Sequence, residues 1–324
     1  MSQTPRTGVA TGSLDTAVAT LRLRPAWHLT LTLPPAPASS VRVDAMPDTA
    51  SSLDAVEAAV REALAKRRRR LLVFGLCGAQ GSGKSTLASG LAARFGSAGL
   101  QTAILSIDDL YKTKVDREAL AREVHPLLRT RGVPGTHDIG LGLRALEQLD
   151  QDLPAELPRF DKSRDDREPP ERWAQAASGV ELLLLEGWCV GAVPQETADL
   201  ADPVNALERD EDRDGGWRRY VNAALAGDYQ RLFARLDGLA LLAAPGFEVV
   251  EAWRQEQEQG LRRQAGADAP GVMSDTQIAR FIAHYERLTR HILREMPARA
   301  DLVIELNRDR SPRRITSRDL QVSR

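Results

Sequence analysis

Apolar positions along this chain come in two alternating forms. Short runs at residues 71–77, 102–107, 181–185, 239–243 and 301–306 read as strands, most of them apolar throughout and so buried on both faces. Between them, apolar residues recur every three or four positions and read as helices. In 53–66, capped by Ser52, the residues Leu53, Val56, Val60 and Leu64 share one face. Further helices are expected over 85–95, 141–149, 217–236, 249–264 and 275–296. Strands separated by helices imply right-handed crossovers and a parallel sheet. The expected architecture is α/β, a five-stranded parallel sheet flanked by helices, in one domain over residues 53–324.

Residues 1–52 are different. They are rich in Ala, Pro, Ser and Thr and include the run Pro34-Pro35-Ala36-Pro37. Leu21 and Leu23, then Leu29, Leu31 and Leu33, alternate with polar residues. This leader reads either as one or two short strands or as a poorly ordered tail. Its first twelve residues lack the apolar core of a signal peptide.

Composition narrows the function classes. The 324 residues are 42% apolar and 27% charged, which supports a buried core. A net charge of −1 argues against a dedicated nucleic-acid binder. The cluster from Lys66 to Arg70 therefore reads as a solvated helix end rather than a nucleic-acid patch. Two cysteines, Cys77 and Cys189, make neither a disulfide framework nor a zinc motif. The apolar stretches fall well short of the roughly 20 residues that cross a bilayer. The expectation is a soluble, cytoplasmic protein, monomer or homodimer, with a small anionic metabolite as partner and neither nucleic acid nor membrane.

The clearest chemistry lies directly after the first strand. Gly78, Ala79, Gln80, Gly81, Ser82, Gly83, Lys84 and Ser85, followed by Thr86, satisfy G-x4-G-K-[ST] between a strand and a helix. Glycines let successive backbone N–H groups face a polyphosphate at a helix N-terminus. Lys84 can then reach the β- and γ-phosphates, and Ser85 can ligate Mg²⁺. Lys84 is one of five lysines in the chain.

Two other strands end in acids. Asp108 and Asp109 follow the second strand, where ligands of open parallel sheets bind. Either can accept a proton from a hydroxyl, help hold a metal or cap the next helix; position does not say which. Glu186 ends the third strand after four leucines, a Walker-B-like place for a metal-side acid. Trp188, just beyond, reads as packing. Some 70 residues of weak pattern separate these strands, long enough to be either functional or disordered. They hold Arg131, His137, Arg159 and Lys162, a basic set suited to an anion. Arg254, in the charged helix after the fourth strand, could close as part of a lid; pattern alone favours a solvated face.

These strings together resemble the D-glycerate 3-kinase family, within the P-loop small-molecule kinases that include uridine kinase, pantothenate kinase and phosphoribulokinase. The resemblance covers about residues 70–310. Beyond the phosphate loop it rests on Ser106-Ile107-Asp108-Asp109-Leu110-Tyr111, on His125-Pro126 with Arg131-Gly132-Val133-Pro134-Gly135-Thr136-His137-Asp138, and on Pro158-Arg159-Phe160-Asp161-Lys162-Ser163. Leu185–Trp188, Pro203-Val204-Asn205, Trp217-Arg218 and Tyr220-Val221-Asn222 also carry it. It implies the P-loop NTPase fold with a mobile lid, and it implies ATP and Mg²⁺. Asp108 matches an Asp that lies near the substrate hydroxyl as its base; Leu110 stands where an aromatic is usual. The implied reaction is phosphorylation of a small carboxylic acid, D-glycerate to 3-phosphoglycerate. Asp109, Tyr111, Arg131, His137, Arg159 and Lys162 are the substrate-side candidates, Ser85 and Glu186 the metal ligands, and Arg254 the lid arginine. Two alternatives stand beside it: the same kinase fold acting on a nucleoside, pantothenate or a sugar phosphate, and an ATP-dependent switch or assembly factor. The first 52 residues have no counterpart in the resemblance.

Overall fold

The computed structural model describes residues 51–265 and 273–318; the strands expected around Leu21 to Leu33 fall outside them. The chain runs α1 (Ser52–Lys66), β1 (Leu72–Gly78), α2 (Lys84–Ser97), β2 (Thr102–Ser106), α3 (Lys114–Glu123) and α4 (Ile139–Asp150). Four short strands follow: β3 (Ala155–Leu157), β4 (Phe160–Asp161), β5 (Asp166–Arg167) and β6 (Ala174–Ala176). The remainder is β7 (Leu182–Gly187), α5 (Ala206–Glu211), α6 (Gly216–Ala224), α7 (Gln230–Phe233), β8 (Gly238–Ala243), α8 (Glu248–Ala265), α9 (Asp275–Glu295), β9 (Leu302–Leu306) and β10 (Pro312–Ser317).

Among the described residues the main sheet has six strands in the order β10-β9-β8-β1-β7-β2. The five expected strands are present and mutually parallel. The sixth, β10, was not expected and pairs antiparallel with β9 at the sheet edge. Burial follows position. Every residue of the central strands β1, β7 and β8 is buried, whereas the edge strand β2 alternates half-buried with buried. The two-residue period then sorts the core onto both faces. Val73, Cys77, Leu183, Leu185 and Leu241 pack against α4, α7 and part of α9. Leu72, Phe74, Leu76, Leu182, Leu184 and Leu242 pack against α1, α2 and α8.

Several expected boundaries move for local reasons. Helix α1 is capped by Ser51, not Ser52, because Ser51 and Asp54 close a reciprocal capping box. The helix expected over 217–236 is broken. Between α6 and α7 the turn Leu225–Tyr229 widens to a π-type turn kinked at Gly227, whose φ of −89° and ψ of −122° leave the helical region. The basic cluster after α1 is exposed at Lys66, Arg68 and Arg69, as expected of a solvated end, but three of its arginines are also tied down. Arg67 pairs with Glu181 at 2.6 Å and Arg69 with Asp237 at 2.8 Å, while Arg70 donates to the carbonyls of Val180 and Leu149. These bonds fasten α1 to the sheet end away from the phosphate loop.

The stretch between β2 and β7 is ordered by a buried arginine. Arg117 on α3, 1% exposed, donates to the carbonyls of Lys112, Arg129 and Asp165 and pairs with the Asp165 carboxylate at 3.0 Å. A charge buried this deeply is tolerated because its donors are met. Arg287 and Arg218 perform similar service lower in the chain, through Glu208 and Asp212.

Candidate active site

Strand register brings the candidate acids together. Glu186 on β7 is level with Leu76 on β1 and with Ser106 on β2. The phosphate loop leaves β1 two residues after Leu76, and Asp108 follows Ser106 by two. All three therefore meet at the carboxyl edge of the sheet, where open α/β sheets bind ligands.

The loop's conformation depends on glycine at two points. Gly83, with φ of 89°, is the N-cap of α2, and no atom lies within 4 Å of where its side chain would project. Gly81, with φ of 78°, lies against α8; a Cβ there would meet Trp253 Cβ at 2.5 Å. Lys84 opens α2. Ser85 Oγ donates to Glu186 Oε1 at 3.0 Å. Glu186 is buried, and its Oε2 has no partner among the described residues. A hydroxyl and a carboxylate with an unmet buried oxygen are the hard donor set that Mg²⁺ takes.

Asp108 accepts from Lys162 Nζ at 2.7 Å and from the Tyr111 hydroxyl at 2.8 Å. Burial pushes its carboxyl up, but the charges of Lys162 and Lys84 and both hydrogen bonds outweigh burial, so it lies well below the usual carboxylate range. Lys162 is raised, first by the charge of Asp108. Asp109 faces elsewhere. It accepts from Arg159 at 2.7 Å and from the Phe160 N–H at 3.1 Å, tying the Pro158 to Ser163 segment to the end of β2. Burial is the main reason its carboxyl is raised. Arg131 pairs with Asp165 and stands 5.5 Å over the Phe160 ring.

His137 is 3% exposed, stacks 4.6 Å from the Tyr111 ring and contacts the Tyr229 hydroxyl through Nδ1. Burial lowers it from 6.5 to about 3, so it enters any recognition as a neutral ring rather than a cation. Arg254 lies on α8 with its guanidinium 5.7 Å over the Phe281 ring of α9. Trp188 packs, as expected: it meets Tyr285 edge-on at 4.8 Å and donates to the Gly132 carbonyl at 3.0 Å.

Three contributors were missed in the sequence. Tyr285 on α9 donates to the Arg131 carbonyl at 3.1 Å. Tyr229 holds His137. Arg310, in the β9–β10 turn, donates to the Gly81 carbonyl at 2.6 Å, pairs with Glu256 at 2.6 Å and stands 5.2 Å over Trp253. No local pattern marks any of them, because their partners lie far away in sequence. A further cluster, His125, Asp212 and Asp214, brings ligand-type atoms within 4.8 Å of one another. There Asp212 already caps the Trp217 and Arg218 N–H groups and pairs with Arg218.

The buried histidines set an acid limit on stability. His137 is held down to about 3 and His284 to about 4, both chiefly by burial. The unfolded chain takes up these protons as pH falls below about 6.5, whereas the folded chain does not. Stability is therefore full above about 6.5 and is lost as pH falls toward the folded values. At roughly 1.4 kcal/mol per pH unit per histidine, moving from neutrality to pH 5 costs about 4 kcal/mol. Urea denaturation at pH 7 and pH 5 should show this loss, and His284→Gln should remove about half of it.

A phosphate loop on this strand order, with acids converging on it, defines the class as P-loop NTPase, and the relatives below make it an ATP-dependent small-molecule kinase. Comparison with known proteins narrows it. No protein-family model matches the chain. The chain is 32% identical over 247 residues to the uncharacterized kinase mug58 of Schizosaccharomyces pombe, covering 72% of this chain and 87% of that protein. It is 28% identical over 260 residues to the chloroplastic D-glycerate 3-kinase of Arabidopsis thaliana, covering 74% of this chain and 54% of that one. The solved D-glycerate 3-kinase of Cryptococcus neoformans superposes with a TM-score of 0.69 at 25% identity, over 82% of this chain and 98% of that one. The chain belongs to the D-glycerate 3-kinase family of P-loop kinases. No helix among its described residues is long and apolar enough to cross a membrane.

Proposed function

We propose that this kinase transfers the γ-phosphoryl group of ATP to the terminal hydroxyl of D-glycerate, giving 3-phosphoglycerate and ADP. The observation that carries the reading is the pairing of Asp108 with Lys162 and Tyr111 beside Lys84, with Arg131 and Arg159 on the same insertion. It combines a fixed hydroxyl acceptor with cations suited to a carboxylate. The names of the Arabidopsis and Cryptococcus relatives support it.

In this reading Asp108 orients the acceptor hydroxyl, whose oxygen attacks the γ-phosphorus while the bond to the ADP oxygen breaks. So acidic a carboxyl is a weak base. That suffices for a loose phosphoryl-transfer transition state, in which the hydroxyl proton leaves late. Lys84 and the loop N–H groups offset charge on the transferring group. Ser85 and Glu186 would hold Mg²⁺, which when bound neutralises charge between the β- and γ-phosphates. Arg131, Arg159 and Lys162 would face the substrate carboxylate, with Arg254 on the lid helix.

The test is a panel assay of the purified chain with ATP, Mg²⁺ and D-glycerate, L-glycerate, a nucleoside, pantothenate or a sugar phosphate, with products read by ³¹P NMR. D-Glycerate should give the highest kcat/KM. Turnover of another acceptor but not of glycerate would refute the assignment.

A further inference from the structure

Tyr229 ends the widened turn between α6 and α7 and is 2% exposed. Its hydroxyl lies 2.5 Å from His137 Nδ1 and accepts the Gly135 N–H at 3.0 Å. The oxygen takes the Gly135 N–H, and among the described residues Nδ1 is the acceptor within reach of the hydroxyl's own proton, so the hydroxyl donates to Nδ1. A neutral imidazole that accepts at Nδ1 carries its proton on Nε2. That Nε2 is buried and has no partner among the described residues. A buried N–H without an acceptor costs its desolvation unless a ligand supplies one. The ring stacks on Tyr111, and the Tyr111 hydroxyl holds Asp108, so this unmet donor sits on the ring next to the proposed acceptor site.

We propose that Tyr229 is a positioning residue that locks His137 in the Nε2–H tautomer, and that this donor bonds the acceptor's second hydroxyl, the one that is not phosphorylated. The inference rests on the glycerate reading, which leaves that group unassigned. The carboxylate suits the arginines, and the reacting hydroxyl faces Asp108. The remaining C2 hydroxyl needs an uncharged donor. Widened helical turns are frequent at functional sites, and the kink at Gly227 lies two residues before Tyr229, whose ring meets the imidazole edge-on. A site that bonds a hydroxyl also rejects analogues that lack it.

The experiment compares D-glycerate with 3-hydroxypropionate, which keeps the reacting hydroxyl and lacks the other. Wild type should prefer glycerate strongly. Tyr229→Phe should lower kcat/KM for glycerate about tenfold and leave 3-hydroxypropionate and the KM for ATP within about twofold, the scale of one hydrogen bond. His137→Gln, which retains a donor near the Nε2 position, should keep more of the preference than His137→Asn. ¹⁵N NMR of the wild-type histidines should place the His137 proton on Nε2, and Tyr229→Phe should mix the tautomers. An unchanged preference in Tyr229→Phe, or a wild-type proton on Nδ1, would overturn the proposal. A wild-type protein inactive on glycerate overturns the substrate reading and with it the hydroxyl assignment; the NMR decides the tautomer lock either way.

Discussion

Lys84→Ala should lower kcat/KM by roughly a thousandfold, about 4 kcal/mol of transition-state stabilisation. The size follows from place. Lys84 is the first residue of α2, directly after the left-handed Gly83, so its ammonium adds to a helix terminus that already favours anions. It also acts at a distance, since its charge helps keep Asp108 ionised. Folding should survive, because the buried face of α2 is built from Leu87, Ala88, Leu91 and Phe95, and alanine is a good helix former. Steady-state kinetics beside a thermal melt separates the two effects. A variant that melts normally and turns over normally would remove Lys84 from the mechanism.

Asp108→Asn should reduce kcat a hundredfold or more while the KM for ATP stays near wild type. The substitution preserves shape and deletes charge. One amide edge then turns N–H donors toward the Lys162 ammonium or the Tyr111 hydroxyl, so the acceptor hydroxyl loses its fixed partner. Lys162, relieved of its carboxylate, remains available to an anionic acceptor, so the KM for that substrate should fall or hold rather than rise. A rise in acceptor KM with kcat unchanged would mean that Asp108 serves binding alone. The pH profile gives a second readout. Because Asp108 lies well below the usual carboxylate range, the wild-type rate should show no acid limb from this group between pH 8 and 5.

What could be read from the sequence depended on whether a feature is written in consecutive residues. The phosphate loop is contiguous, and its chemistry follows from its position between strand and helix. The central strands are buried on both faces and leave unbroken apolar runs. Strand β10 leaves none: Pro312, Arg313, Arg314 and Ser317 sit at an edge where a ladder to β9 suffices. The insertion between β2 and β7 was opaque for another reason. Its anchor, Arg117, is a charged residue doing a core residue's task by donating to three carbonyls, and hydropathy cannot register that. Tyr285, Tyr229 and Arg310 reach partners 154, 92 and 229 residues away. His137 was legible as a candidate but not as a neutral one, since its charge state is set by burial.

The pairing of the candidate cations with acids has a consequence for how an anionic ligand would enter. Lys162 is held by Asp108, Arg159 by Asp109 and Arg131 by Asp165. On the proposed reading, an incoming carboxylate would meet guanidinium and ammonium groups that already have partners, and it would bind by exchange rather than by addition. Exchange leaves little net field to draw anions in from solution. Ionic strength should therefore weigh lightly on the acceptor's affinity, and among anions of equal charge the geometry of the swap, rather than the attraction, decides which one stays.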